Sequence, residues 1–393
     1  MAKKSKIAFV SAICSIVLFL VGTVGGFFGK TILLSTVYEI PETQKVATSA
    51  TKDNLTNENL SVEVIKEKEL AIHFIELGNK YTGDCTLIKV GSVEILVDAG
   101  SRADSVTPIY DYCRNYVTDG ILEYVIVTHA HQDHYAGFAT GEKVDSLLDK
   151  FVVKNIIQFS KTNQKETGTL YKNFNREVAE SKQRNDTNVY TALDCYENKN
   201  GGQRTYSISE SIELEILYQK YYEQNSSTEN NYSVCFSLNQ KISETKTNKY
   251  LFTGDLESDG ESSLVDENSI GEVELYKAGH HGSKTSSSKK LMEEIKPKIV
   301  CVCCCAGSSE YTSKNKNQFP TQQFIDNVAP YTFNVFVTTL CVDYKNGKFT
   351  SMNGDIIVYT ENKEVKVSCT NNNTLLKDTD WFKTNRTLPS AWA

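Results

Sequence analysis

The sequence has no excess of basic residues. Its 42 lysines and arginines are outnumbered by 49 aspartates and glutamates, so the 393 residues carry a formal net charge of −7. A protein that binds long nucleic acids tightly and without sequence preference needs positive charge to neutralise the phosphates. The composition therefore argues against that class of protein, and a nucleic acid substrate would have to be held at one local site.

Histidine is scarce and unevenly distributed. Three of the six histidines lie in the segment 129–134, an H-x-H-x-D-H motif that directly follows an apolar, strand-like run. His129 and His131 point the same way from extended backbone, while Asp133 and His134 turn towards a second position about one metal–metal distance (~3.5–4 Å) away. A histidine-rich polar loop is the plain alternative, but imidazoles clustered with a carboxylate indicate a metal site.

Metal-binding C-x-x-C spacing is absent outside one dense cluster of cysteines at positions 301, 303, 304 and 305. Four cysteines within five strand residues point to opposite faces and cannot converge on one ion. They are therefore predicted to be small apolar residues of a buried strand, with a thiolate metal site as the alternative. The total of eleven cysteines leaves the compartment open, because an exported domain would normally pair them and an intracellular one would keep them reduced.

The first 30 residues predict an uncleaved signal anchor. Three lysines precede an uncharged run over residues 7–29, which would reach roughly 33–35 Å as a helix and so span a bilayer. No small-x-small cleavage site follows closely, which favours a single-pass anchor over a removed signal peptide. With the positive flank inside, the rest of the chain would face the outside of a bacterial-type membrane. Residues 31–63 are predicted to be a flexible linker, and no obligate protein partner is indicated.

Residues 64–368 are predicted to form one folded domain, followed by a polar C-terminal tail at 369–393. Short β-branched or alternating runs separated by glycine, asparagine and serine predict many strands, with helices between them. Two further segments with metal-ligand residues each follow a strand: Gly254-Asp255 and 280–283, which reads H-H-G-S. The chain thus delivers possible ligands at several strand ends.

This succession, with Asp98 after an earlier strand, resembles the metallo-β-lactamase superfamily over roughly residues 71–367. The resemblance implies an α/β fold, a four-layer αββα sandwich with a metal site at one edge between the sheets. The segments 277–286, 252–257 and 230–234 are similar to the hydrolase domain of the DNA-uptake protein ComEC. The many-helix channel of ComEC is not recognisable here, so the resemblance implies a stand-alone, membrane-anchored form.

The resemblance also implies a role for each matching residue. It implies six ligands of a two-metal site: His129, His131, Asp133, His134, Asp255 and His280. In this scheme Asp255 bridges the ions, and His280 is the last ligand of the second one. His281 would instead be a phosphate contact or a proton donor to the leaving oxygen, because adjacent side chains project in different directions.

One departure from the superfamily concerns the first metal. Many members supply a further histidine between the first motif and the bridging aspartate, and this chain has none there. Asn230, Asn231 or Ser233 could take the vacant place, directly or through water. The first metal is therefore predicted to bind weakly, which allows a partly filled pair, or manganese in place of zinc, because oxygen-rich ligation favours harder ions.

Three further residues are candidates around the metals. Asp98 is expected either to orient a ligating imidazole or to be an ordinary turn residue before Gly100. Ser283 and Lys284 could contact an anionic substrate, although a polar turn leading to a helix explains them equally well.

The sequence thus predicts a metal-dependent hydrolase, most directly a phosphodiesterase or nuclease that uses a metal-activated hydroxide, which Asp133 is expected to orient. The expected substrates are single-stranded DNA, a nucleotide or a surface polymer with phosphodiester bonds. Hydrolysis of a lactone or amide is the alternative enzyme activity. A membrane-tethered, non-catalytic binding module with an incomplete metal site is the alternative outside enzymes.

Overall fold

The computed structural model describes residues 60–393. The predicted signal anchor at 1–30 and nearly all of the predicted linker at 31–63 lie outside these residues. Among the helices formed by residues 60–393, none combines the length and apolar character needed to cross a bilayer. The first of them begins at Val62, two positions before the predicted start of the domain.

Ten short to medium α-helices form in this part of the chain. They are α1 Val62–Lys66, α2 Val106–Cys113, α3 Gln132–Tyr135, α4 Leu147–Lys150, α5 Thr169–Asn185, α6 Ala192–Glu197, α7 Ser258–Glu267, α8 Lys289–Ile295, α9 Gln322–Val328 and α10 Asp380–Asn385. Several begin at a serine or threonine whose hydroxyl accepts a hydrogen bond from the first turn, as Ser288 does for α8. Such caps fix where each helix starts.

Sixteen β-strands form in the same part of the chain. They are β1 Ala71–Phe74, β2 Thr86–Val90, β3 Val93–Val97, β4 Ile121–Val127, β5 Val152–Gln158, β6 Asn188–Thr191, β7 Thr205–Ser207, β8 Ile212–Leu217, β9 Cys235–Lys241, β10 Thr247–Phe252, β11 Leu275–Lys277, β12 Ile299–Ala306, β13 Val335–Asp343, β14 Lys348–Ser351, β15 Ile356–Glu361 and β16 Glu364–Cys369.

The strands build two mixed sheets of eight. The first has the order β16-β15-β1-β2-β3-β4-β5-β6, and the second has the order β14-β13-β12-β11-β10-β9-β8-β7. Strands β3 to β6 are mutually parallel, and so are β10 to β13. Since the carboxyl ends of parallel strands meet at one edge of a sheet, residues that follow β3, β4, β10 and β11 are positioned to share a site.

The two sheets pack face to face, with helices on the outer sides. Between the sheets, the ring of Phe74 in β1 stacks on that of Phe252 in β10 at 6.3 Å between centroids. On the far side of the second sheet, Val300 in β12 shares a buried cluster with Leu291 in α8 and Phe324 in α9. Helix α5 packs on β5 of the first sheet. The α/β prediction is confirmed, and the layers agree with the predicted αββα order.

Strand β12 is the buried strand predicted from the cysteine cluster, because all eight of its residues are buried. Cys301 and Cys303 lie in the core cluster between the sheets, whereas Cys304 lies in the cluster beneath α8 and α9. These three thiols therefore face different layers, and within residues 60–393 no cysteine belongs to a group that could hold a metal ion. The ten cysteines within residues 60–393 are all free of disulfide bonds.

The segment predicted to be a polar tail, 369–393, carries a helix and a buried tryptophan. The Trp392 ring lies 5.8 Å from that of Phe382 in α10, and both are buried in the cluster beneath the second sheet. The indole Nε1 of Trp392 donates a hydrogen bond to the carbonyl oxygen of Thr332 at 2.8 Å. This packing adds the last residues of the chain to the outer helical layer.

Candidate metal centre

Three strand ends place the histidine and aspartate motifs at one edge between the sheets. The chain leaves β4 in extended form up to His131, whose φ of −92° and ψ of 145° start α3. After β10 the chain turns at Gly254, which has φ +53° and where a Cβ would lie 2.7 Å from the hydroxyl of Ser233. Only glycine fits this turn without strain, and it aims Asp255 into the site.

Four side chains converge at what we call the second ligand set: Asp133, His134, Asp255 and His281. Asp255 Oδ2 lies 3.1 Å from His134 Nε2 and 3.4 Å from His281 Nε2. His281 Nε2 is also 3.3 Å from Asp133 Oδ2. Ligands about 2.1 Å from one ion in a tetrahedron are about 3.4 Å apart, so these three separations fit ligands of a divalent cation.

The hydrogen bonding of the same atoms is an independent test of whether these residues fit a metal ion. His134 Nε2, His281 Nε2 and both carboxylate oxygens of Asp255 are buried without a hydrogen-bond partner. Buried polar atoms are rarely left unsatisfied, because each such atom costs roughly 1–3 kcal/mol. A cation between them would satisfy all of these atoms, so the residues fit a metal.

Three atoms form what we call the first ligand set: His129 Nε2, His131 Nδ1 and Asp255 Oδ2. The two ring nitrogens are 3.1 Å apart, and His129 Nε2 is 4.0 Å from the Asp255 oxygen. Asp255 Oδ2 is the atom that the two sets share, which is the arrangement of a bridging carboxylate.

The structure divides His280 and His281 differently from the sequence prediction. His281 is fully buried and its Nε2 belongs to the second ligand set, the place predicted for His280. His280 is 20% exposed, and its Nε2 is 4.0 Å from Asp255 Oδ2. The predicted proton-donor role of His281 does not fit its complete burial. The reason is the backbone, since both residues adopt left-handed conformations instead of continuing a strand.

The two imidazoles of the second ligand set are oriented by further hydrogen bonds. Asp98 Oδ2 lies 2.7 Å from His134 Nδ1, and Asp98 accepts hydrogen bonds from both the backbone N–H and the hydroxyl of Thr128, each at 2.8 Å. His281 Nδ1 donates to the carbonyl oxygen of Cys303 at 2.9 Å. Of its two expected roles, this geometry favours the one in which Asp98 orients an imidazole and leaves His134 Nε2 free for an ion.

Sequence reasoning missed a buried ion pair beside these ligands. Asp84 forms an ion pair with Lys277, the last residue of β11, and both are buried. Asp84 Oδ1 is also 3.1 Å from His281 Nδ1, and Lys277 Nζ is 3.8 Å from Asp255 Oδ1. Asp84 even qualifies with His134, Asp255 and His281 as a possible metal-binding group. The available signals were a lysine in an apolar strand and an aspartate directly after Gly83.

The close carboxylates and imidazoles of the site shift one another's pKa values. Burial alone would lower the pKa of His134, but the carboxylates of Asp255 and Asp98 raise it to about 10. The pKa of His281 is likewise raised well above its usual value, against burial, by Asp255 and Asp84. Conversely, although burial would raise it, the pKa of Asp255 lies well below its usual value because of these imidazoles.

The other predicted residues differ in their closeness to the ligands. Ser233 Oγ accepts a hydrogen bond from the Asp255 backbone N–H at 3.0 Å and is 3.4 Å from His129 Nδ1. Asn231 faces away from the two ligand sets, because its side chain is engaged elsewhere. Its amide nitrogen donates to the Ser226 hydroxyl, and its amide oxygen accepts from the Glu257 backbone N–H. Asn230 keeps its Oδ1 buried without a partner.

The two polar candidates of the turn after His281 also differ from each other. Ser283 is buried, and its hydroxyl lies 3.1 Å from that of Thr285. Lys284 is exposed to solvent. Of the two, only Lys284 remains available to an arriving substrate.

A loop over residues 307–321 adds a residue that carries no sequence motif. The hydroxyl of Tyr311 donates to Asp133 Oδ2 at 2.6 Å, although the tyrosine itself is 55% exposed. The loop is fixed by Glu310, whose carboxylate accepts from Arg102 at 2.8 Å and from the Thr82 backbone N–H at 2.9 Å. Tyr311 is therefore placed at the mouth of the site, within reach of both Asp133 and solvent.

The four layers, together with H-x-H-x-D-H, a bridging aspartate and a histidine turn at the ends of parallel strands, define a protein of the metallo-β-lactamase fold with the ligand set of metal-dependent hydrolases. The predicted superfamily is thus confirmed. The family model described as Anti-Pycsar protein Apyc1 matches residues 75–326, and the chain belongs to this family.

Short stretches also match curated proteins, in line with the predicted ComEC-type resemblance. Recombination protein 2 of Haemophilus influenzae is 34% identical over 55 residues, which are 14% of this chain and 7% of that protein. ComE operon protein 3 of Bacillus subtilis is 28% identical over 107 residues, which are 26% of this chain and 13% of that protein. The chain therefore spans only a small part of the length of these relatives.

Solved structures of the same fold superimpose only in part. The metallo-β-lactamase fold protein YhfI from Bacillus subtilis is 12% identical with a TM-score of 0.39, over 69% of this chain and 96% of that chain. The subclass B3 metallo-β-lactamase MEM-A1 from a soil metagenome library is 12% identical with a TM-score of 0.29, over 64% of this chain and 80% of that chain.

Proposed function

We propose that this protein is a metal-dependent phosphodiesterase. The observation that carries the proposal is the surroundings of Asp255 Oδ2, which has four imidazole Nε2 atoms within 4.0 Å: those of His129, His134, His280 and His281. One carboxylate oxygen among four ring nitrogens suits a bridge between two cations. Two cations held about 3.5–4 Å apart clamp the attacking and leaving oxygens of an in-line displacement at phosphorus.

The chain's own residues perform the remaining tasks. Asp98 and the Cys303 carbonyl fix the two buried imidazoles so that their Nε2 atoms face inward. Tyr311 holds its hydroxyl proton against Asp133 Oδ2, at the place where an entering phosphodiester would meet both the carboxylate and the phenol. Lys284, exposed beside the histidine turn, supplies positive charge for attraction of an anion.

We propose zinc for the second ligand set, because two imidazoles and two carboxylates at tetrahedral spacing match its usual ligands. The first ligand set contains two imidazoles and the shared carboxylate, and manganese remains an alternative there. The excess of acidic residues in the chain favours a small phosphodiester, such as a nucleotide, over long single-stranded DNA or a surface polymer.

The test is a substrate panel with the purified full-length chain. It compares bis-p-nitrophenyl phosphate, a cyclic nucleotide, single-stranded DNA, a lactone and a β-lactam, each with added zinc or manganese. Asp255→Asn should lower kcat/KM for the phosphodiesters at least on the order of 1000-fold, because it removes the charge shared by both cations. The matched control is Asp266→Asn, on the exposed face of α7. Turnover of only the lactone or β-lactam, or an unchanged rate in Asp255→Asn, would refute the proposal.

The family model that matches this chain is described as an anti-Pycsar protein. We therefore extend the proposal to activity against Pycsar. Expression of the chain should weaken Pycsar in cells that possess it, and expression of Asp255→Asn should not. If both proteins weakened Pycsar equally, the role would not depend on the metal site.

As an alternative to a role inside the cell, we propose that residues 7–29 anchor the chain in a membrane with the hydrolase domain outside. This rests on the three lysines and the uncharged run of the sequence. Protease added to intact cells should then degrade the folded domain, and digestion only after lysis would contradict the orientation.

A further inference from the structure

His280 and His281 occupy a strained segment of backbone. His280 has φ 48° and ψ 48°, and His281 has φ 53° and ψ 25°. A residue other than glycine in this left-handed region costs roughly 1–2 kcal/mol, and such strain persists where surrounding contacts hold it, often at functional sites. Here Thr321 holds the turn, because its backbone N–H and its hydroxyl both donate to the carbonyl oxygen of Gly282, at 2.9 Å and 3.1 Å.

This backbone changes where two neighbouring side chains point. In a strand they would face opposite sides, whereas in a helical turn of either hand they are about 100° apart, because a turn takes about 3.6 residues. The rings of His280 and His281 accordingly have centroids 6.1 Å apart, with planes at 68°. Both Nε2 atoms face the same oxygen of Asp255, at 4.0 Å and 3.4 Å. Adjacency therefore does not prevent both histidines from being ligands.

The surroundings of His280 differ from those of His281. His280 Nδ1 lies 3.0 Å from the Thr285 hydroxyl and 3.4 Å from the amide nitrogen of Asn230. Asn230 belongs to the segment between the first motif and Asp255, where this chain lacks the usual histidine. His280 thus stands beside the vacant place, with Nδ1 occupied by the protein and Nε2 turned to the bridging oxygen.

Taking the proposed metal-dependent function as given, we propose that the two adjacent histidines serve different cations. His281 completes the second ligand set, and His280 Nε2 joins the first ligand set in place of the missing histidine. The strained turn is then the device by which one dipeptide supplies an imidazole to each ion.

The experiment counts bound ions in the purified full-length chain, independently of any substrate. Protein is loaded with Zn²⁺ or, separately, Mn²⁺, dialysed, and analysed for metal per chain, with affinities from chelator competition. The main variant is His280→Asn, because asparagine tolerates the left-handed backbone and preserves the turn. Lys284→Ala, an exposed side chain in the same turn, is the matched control for metal content. Circular dichroism and thermal unfolding confirm that each variant is folded.

We expect two ions in the wild type and in Lys284→Ala. His280→Asn should lower the affinity for one ion and leave the affinity for the other unchanged. The loss should exceed the 10- to 100-fold that removal of an outer hydrogen bond already costs. His131→Ala with His280→Asn should still retain one ion, because both changes affect the same set. His280→Asn with His281→Ala should retain neither.

Three results would overturn the inference. They are two ions of wild-type affinity in His280→Asn, one tightly held ion in the His280/His281 double variant, and a wild type that binds a single ion. Failure of the proposed phosphodiesterase activity is distinguishable, because it would appear as two ions in the expected pattern without turnover of any phosphodiester in the panel.

Discussion

Glu261 offers a quantitative test of how the structure holds the histidine turn. Its side chain is fully buried in α7, and its two oxygens accept hydrogen bonds from the backbone N–H groups of Ser287 (2.6 Å) and Ser288 (2.7 Å). These residues connect the histidine turn to α8. Burial raises the pKa of Glu261 from 4.5 to about 7, although the two hydrogen bonds oppose the shift.

The sign of the effect follows from proton binding. Between pH 4.5 and pH 7 the folded protein keeps this carboxyl protonated while the unfolded chain ionises it, so stability falls as the pH rises through this window. A shift from 4.5 to about 7 amounts to about 3 kcal/mol at about 1.4 kcal/mol per pKa unit. Glu261→Gln removes the titratable group. One of the two backbone N–H groups then faces the amide nitrogen of the glutamine instead of an oxygen.

The expected result is a pH-dependent difference between the two proteins. From pH 4.5 to pH 8.5, the free energy of unfolding of Glu261→Gln should rise by about 3 kcal/mol relative to the wild type. The measurement is denaturant unfolding of both proteins in parallel, so that the titrations of the metal-centre histidines cancel. Glu267→Gln, exposed on the same helix, is the control. A difference that stays constant over this pH range would show that Glu261 is not desolvated as the structure indicates.

Three further predictions concern the metal centre. Asp98→Asn should weaken the ion of the second ligand set on the order of 10- to 100-fold, because His134 loses its orienting partner; chelator competition measures it, and an unchanged affinity contradicts it. Tyr311→Phe should lower kcat for a phosphodiester while metal content stays at the wild-type level, and a loss of metal would instead make the phenol a structural support. Zinc binding at pH 8 should release protons, because the metal-free His134 has a pKa of about 10; calorimetry in two buffers of different ionisation enthalpy detects this, and identical heats refute it.

The sequence predicted those parts of the site that lie directly after strands. Each of the segments 129–134 and 254–255 follows a buried run, and parallel pairing brings such strand ends to one edge. Asp98 was recognisable for the same reason, since it follows β3. These positions depend on local patterns that a reader can see in the chain.

Other parts depended on contacts between distant segments. Asp84 and Lys277 are separated by most of the domain, and only the packing of the two sheets makes them a buried pair. Tyr311 reaches Asp133 from a polar loop without regular spacing. The proposed division of labour between His280 and His281 depends on two left-handed residues that are not glycine, and such strain has no signature in the sequence.

The charges of the buried groups indicate how many cations the centre holds and which substrate charge it favours. Four carboxylates face the centre, those of Asp84, Asp98, Asp133 and Asp255, and Lys277 neutralises one of them. Three negative charges remain, and one divalent cation leaves the centre negative, which is unfavourable for an anionic substrate. Two divalent cations with neutral imidazoles leave a single positive charge as long as the attacking water keeps its proton, and a buried centre is most favourable when its charges are balanced.

A phosphodiester monoanion would balance that charge, whereas a phosphomonoester dianion would exceed it. The protein should therefore prefer the diester: kcat/KM for bis-p-nitrophenyl phosphate should exceed that for p-nitrophenyl phosphate at pH 8, where the monoester is a dianion. The preference should grow in Lys277→Met, because the unpaired Asp84 then removes the positive charge from the centre and a dianion adds two negative charges to a neutral site. Equal rates with the two esters in the wild type, in the presence of two bound ions, would contradict this electrostatic account.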